Sequence, residues 1–118
     1  MRDVVEKASH CVWQIHYHIV FPVKYRRGLL DDAVVKIIMM TAKAIEDRYD
    51  IEFEQIGCDK DHVHILCTAH PEIAPGQIVR VFNSITAREL FKRKPDLKRD
   101  LWGGEFWTDG YYVATVGE

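Results

Sequence analysis

The stretch Ile51-Glu-Phe-Glu-Gln-Ile-Gly-Cys-Asp-Lys-Asp-His-Val-His-Ile-Leu-Cys-Thr68 decides how the chain folds. Ile51, Phe53 and Gln55 alternate with Glu52, Glu54 and Ile56, Cys58–Asp61 supplies turn chemistry, and His62–Thr68 reads as a second strand. Two strands joined by a short turn make a hairpin. Upstream of it, Asp31-Asp32 places acids where a helix N-terminus favours them. Val34, Ile38, Ala42, Ile45 and Tyr49 then recur at helical spacing, which predicts a helix over 31–49. Before the basic turn Lys24-Tyr-Arg-Arg-Gly28, residues 12–24 predict a first strand with Trp13, Ile15, Tyr17, Ile19 and Phe21 on one face. Downstream, Pro75-Gly76 opens a second helical pattern (Ile78, Phe82, Ile85, Leu90) that runs to about Arg93, and Pro95 prevents its continuation. A last strand is predicted over 110–116. The order β-α-β-β-α-β predicts an α+β, ferredoxin-like (RRM-like) fold, an antiparallel sheet with two helices on one face. Its other face is left to solvent or a partner.

The 118 residues suit one domain spanning 1–118, and 47% hydrophobic with 29% charged residues is a composition that packs a core. No apolar run is long enough to span a bilayer, and the charged start does not read as a signal peptide, so a cytoplasmic protein with no membrane partner is expected. Cys11, Cys58 and Cys67 are odd in number and irregularly spaced, which argues for buried thiols over disulfides or a zinc knuckle. The net charge of −2 gives no hint of a nucleic-acid partner, but it conceals two opposed regions. Residues 76–99 hold seven basic side chains against two acidic ones, and residues 46–61 hold seven acidic against two basic.

Asp61-His-Val-His-Ile-Leu66 carries the chemistry. On a strand, His62 and His64 point to one face and Val63 and Ile65 to the other, so the two imidazoles can share a divalent metal. Spacing alone does not choose this pair, because His16-Tyr17-His18 has the same pattern. Two ligands are also too few for a catalytic metal. Arg80, Asn83, Ser84 and Arg88 recur at helical spacing opposite Phe82 and Ile85, making that face, with Lys92 and Arg93, a candidate DNA groove. Lys24, Arg26 and Arg27 would likewise track a phosphate backbone, the plainer reading in each case being a solvated face. Trp102, Phe106 and Trp107 could stack on unpaired bases or plug the core.

Three stretches together resemble the single-tyrosine (Y1) HUH transposases of bacterial and archaeal IS200/IS605 insertion elements. Tyr17–Arg27 is similar to that family's opening strand and basic turn, Asp61–Leu66 to its HUH metal motif, and Phe106–Gly117 to its last sheet strand. The resemblance covers nearly all of the chain from about residue 10. It implies that His62 and His64 bind Mg²⁺ or Mn²⁺, with His18 beside them supporting the site or the phosphate; Asp61 is read as a supporting residue that orders the turn rather than as a metal ligand. It further implies that a tyrosine attacks the scissile phosphate of single-stranded DNA to leave a 5′-phosphotyrosine. The partners implied are hairpin-forming single-stranded element ends and a second copy of the chain. In that family the nucleophile lies on a helix after the last strand, which places it beyond Glu118, with Tyr111 and Tyr112 the candidates inside the chain. A truncated, catalytically silent hairpin-DNA-binding relative is the alternative. An RNA-binding sheet is a third reading, weakened by the lack of a clear pair of stacking aromatics on the sheet.

Overall fold

A computed structural model describes residues 15–102 and 104–116. Strand β1 (His16–Pro22) is followed by helix α1 (Asp32–Arg48), the hairpin β2 (Ile51–Cys58) and β3 (His62–Ala69), helix α2 (Pro75–Arg93), a short helix α3 (Leu97–Asp100) and strand β4 (Tyr112–Val116). The strands form one antiparallel sheet in the order β2-β3-β1-β4. This is the expected α+β architecture. Residues 12–14 of the anticipated first strand lie outside the described residues, and so does Cys11.

Local chemistry sets the helix limits. Asp31 caps α1, its carboxylate accepting from the Val34 amide at 2.9 Å, a contact whose loss typically costs ~1 kcal/mol. At the start of α2, Pro75 takes the first-turn position where no amide partner is needed, and Gln77 Oε1 reaches back to the Ala74 amide at 2.8 Å. Both helices cover one sheet face. Val34, Ile38 and Ile45 from α1 and Ile78, Phe82 and Leu90 from α2 pack on Ile19, Phe21, Val63, Ile65 and Cys67. Phe82 is the hub: its ring stacks on Phe21 at 4.7 Å and meets Phe53 and Trp107 at 5.8 and 5.9 Å.

The alternation expected in β2 does not hold to its end. The register shifts between Phe53 and Gln55, so that Glu54 is left without a partner on β3 and the phase of the strand inverts. Ile56 and Cys58, rather than Gln55, therefore pack against the core. Phe106 and Trp107 are also core residues, 1% and 5% exposed, and the Trp107 indole donates to Thr86 Oγ1 at 2.9 Å. They are not free to stack on bases. The buried Cys67 thiol is pushed up to about 12 by burial. Against an ordinary value near 9, this lowers its thiolate fraction on the order of a thousandfold. Iodoacetamide at pH 8 is expected to label Cys67 only as the protein unfolds; rapid native labelling mapped to Cys67 by peptide analysis would contradict that packing.

Candidate functional site

The sheet face left bare by the helices is where the chemistry-bearing side chains collect. Because Tyr17, Ile19 and Phe21 turn toward the helices, His16, His18 and Val20 turn away, and the same alternation in β3 turns His62, His64 and Leu66 away. Antiparallel pairing sets His18 against Leu66, Val20 against His64 and Pro22 against His62. His18 and His64 meet edge to face with centroids 5.9 Å apart, and the His62 and His64 rings are 6.3 Å apart. Spacing could not separate the two HxH pairs, and the fold sets them on the same face. His16 differs in its partner, with Nδ1 2.9 Å from Glu54 Oε1.

His62 is held from both sides. Its Nδ1 lies 2.9 Å from Asp61 Oδ1 and its Nε2 3.0 Å from Asp59 Oδ2. Asp61 also accepts from Arg26 Nε at 3.4 Å, and its backbone carbonyl accepts from the Val23 amide at 2.8 Å. The hydrogen bond with His62, and after it Arg26, holds the Asp61 carboxyl below its ordinary value. A carboxylate that fixes one imidazole nitrogen and leaves the other to a metal is the usual outer partner of a histidine ligand. Here Asp61 occupies that position, and Asp59, two-thirds exposed, sits where Nε2 would face an ion. Two imidazoles, one of them flanked by the Asp59 and Asp61 carboxylates, fit a divalent cation that takes its remaining ligands from oxygen. Among the described residues no group of three His, Cys, Asp or Glu side chains converges on one point.

Gly57 belongs to this site although its role was not evident in the sequence. It pairs with His64, and a Cβ placed on it would run into Cε1 and Nε2 of the His64 ring. The imidazole lies over the bare backbone of its neighbour. Continuing across the row, His64 pairs with Val20 and Val20 with Tyr112. Tyr112, 61% exposed, thus stands on the same open face as His64, two strands away, or about 10 Å between backbones. Tyr111 precedes the strand and lines a groove between α2 and segment 104–111.

The anticipated basic face divides in two. Arg80, Asn83 and Ser84 border the groove of about 450 Å³ that also includes Thr108 and Tyr111, and the buried Asn83 Oδ1 has no hydrogen-bond partner among the described residues. Arg88 does not join them: eight residues of helix carry it about 80° around the axis. It lines a separate groove between α1 and α2 with Arg48 and Arg93. Arg93 is paired with Glu89 at 3.1 Å, and Lys92 is exposed. Lys24, Arg26 and Arg27 cluster near the β2–β3 turn, each with a protein acceptor: Glu105, Asp61 and the Asp100 carbonyl. Trp102 is 73% exposed beside them.

A four-stranded antiparallel sheet with helices on one face and a histidine pair on the other defines a class of α+β proteins whose open sheet face is free to receive a ligand. The chain belongs to the IS200-like transposase family, whose model matches residues 11–118. It is 32% identical over 114 residues to the ISDra2 transposase TnpA of Deinococcus radiodurans, covering 97% of this chain and 81% of that one. It is 28% identical over 110 residues to the transposase for insertion sequence element IS200 of Salmonella typhimurium, covering 93% and 72%. A crystal structure provisionally described as a transposase from D. radiodurans R1 superimposes with a TM-score of 0.82 at 30% identity, over 90% of this chain and 82% of that one. A REP-associated tyrosine transposase bound to a REP hairpin shares the fold, with a TM-score of 0.56 at 13% identity over 88% and 57% of the two chains. No helix among the described residues is long and apolar enough to cross a membrane.

Proposed function

We propose that this transposase nicks and rejoins single-stranded, hairpin-forming ends of an insertion element, with His62 and His64 holding Mg²⁺ or Mn²⁺. The observation that carries the reading is the His62–His64 pair on the open sheet face, with Asp61 orienting the first ring and Gly57 leaving room for the second. A bound divalent ion would supply Lewis-acid stabilisation of the charge that develops on the scissile phosphate. The chain's own residues then have distinct tasks. His62 is oriented through its Asp61 contact, His18 supports His64 from the adjoining strand, and the flat face admits an unpaired strand. A tyrosine hydroxyl attacks phosphorus, the P–O3′ bond breaks, and the 3′ oxygen leaves as a hydroxyl after gaining a proton. The resulting 5′-phosphotyrosine conserves the bond energy, so a later 3′-OH can reverse the step without ATP. By resemblance the tyrosine belongs to a helix following β4, with Tyr112 the alternative on the same sheet face. A homodimer is the assembly proposed, in which a tyrosine from one copy serves the histidines of the other. That the REP-associated transposase of similar fold holds a DNA hairpin supports the same ligand here.

Incubation of the protein, carrying its native C-terminus, with Mn²⁺ and a single-stranded hairpin oligonucleotide is expected to give a covalent adduct, and His64→Ala to abolish it. An adduct indifferent to His64→Ala would contradict the assignment. A hairpin gel shift that persists in EDTA with no adduct would favour the silent DNA-binding relative.

A further inference from the structure

We propose that Tyr25 and Trp102 form a receptor for one unpaired base of the strand that crosses the histidine site, an inference that rests on the function proposed above. Both rings are displayed rather than buried, Trp102 at 73% and Tyr25 at 56% exposure, and they meet edge to face at 5.7 Å. The Arg27 guanidinium lies 5.8 Å from the Trp102 ring centre, and the Lys24 ammonium 5.7 Å from that of Tyr25. Neither aromatic belongs to the core.

The backbone is strained to hold them there. Tyr25, Arg26 and Trp102 have φ of 60°, 52° and 45°, and they are the only non-glycine residues with positive φ among the described residues. Consecutive positive φ at Tyr25 and Arg26 builds a turn that ordinarily needs Asn and Gly, and bulky side chains occupy that region at a cost. Such strain concentrates where a ligand uses it. The patch also lies at the right end of the sheet. Pro22 pairs with His62, Val23 donates to the Asp61 carbonyl, and Arg26 contacts the Asp61 carboxylate that orients His62. The Tyr25 backbone is therefore within about 16 Å of that of His62. A strand whose phosphate sits at the histidines reaches the rings a few nucleotides away.

The local charges favour a base over a phosphate as the group bound. Lys24 is paired with Glu105, Arg26 with Asp61, and Arg27 with the Asp100 carbonyl and, at 3.9 Å, its carboxylate. The cations thus steady the rings while their charge is already matched. Stacking of one base on an aromatic ring is tolerant of sequence, because every base presents a π face.

The test compares one hairpin oligonucleotide in two forms, blunt and with a single-stranded flank, by fluorescence anisotropy. Trp102→Ala is expected to weaken binding of the flanked form about tenfold, to leave the blunt form unaffected, and to leave the salt dependence of both unchanged. Trp102→Phe should retain flank binding, and Trp102→Gly should lose it while melting no lower than wild type, since glycine accepts the positive φ. Equal binding of the flanked form by wild type and Trp102→Ala, or equal weakening of both forms, would overturn the proposal. Wild-type protein that binds both forms with the same affinity overturns the base receptor alone; wild-type protein that binds neither overturns the proposed function along with it.

Discussion

Gly57→Ala is expected to lower metal-dependent adduct formation by roughly a hundredfold, the scale of loss when a reacting group is displaced by about 1 Å. The added methyl would occupy the space of the His64 ring. Position 57 has no left-handed backbone, so alanine itself is accommodated, and the side chain that must yield is an exposed imidazole on the open face. The ring can swing away at little cost to the fold, and alanine recovers some of the backbone entropy that glycine loses in a strand. Melting should therefore stay within about 4 °C of wild type. Parallel adduct assays and thermal melts check both halves. A Gly57→Ala protein with full activity would mean that the His64 orientation does not matter.

Phe82→Ala carries the largest expected cost in stability, about 3–5 kcal/mol. Its ring is fully buried and touches three other aromatics: Phe21 on β1, Phe53 on β2, and Trp107 after α3. Deleting it leaves a cavity between the sheet and α2 that these flat rings cannot fill. Since a domain of this size has about 5–15 kcal/mol in total, the loss would consume a large share of its stability. Urea unfolding measures it; a loss below about 1 kcal/mol would show that the aromatic cluster is not what joins helix to sheet. Trp107 couples the same cluster to Thr86 on α2, so the segment leading into β4 should loosen with it.

Much of the fold was legible because its signals are local. Asp31 before an apolar helical repeat, Pro75 before another, and the alternation in 16–22 and 62–69 each reflect short-range preferences that tertiary packing kept. The inversion in β2 was not, because a bulge depends on what the partner strand presents, and Gln55-Ile56-Gly57-Cys58 fits either phase until Ile65 and Val63 lie beside it. In the site, His62 and His64 stood out as a pair. Asp59 was visible only as turn chemistry, and its position against His62 follows from the tightness of that turn. Gly57 carries no signal of its own in the sequence, since nothing local says which side chain will lie over it. Helical spacing alone puts the basic residues of α2 on one face, whereas the drift from Arg80 to Arg88 separates two grooves. Trp102, Phe106 and Trp107 are indistinguishable in sequence, and only the folded chain divides two core rings from one displayed ring.

The assignment of the open sheet face as a metal-dependent DNA site stands or falls with Mn²⁺ binding by the histidine pair. Titration of Mn²⁺ into the protein with a single-stranded hairpin oligonucleotide, followed by electron paramagnetic resonance, should show one bound ion per chain. His62→Ala and His64→Ala should each weaken that binding tenfold or more, as expected for losing one of two protein ligands. Undiminished Mn²⁺ binding by both variants would contradict the assignment.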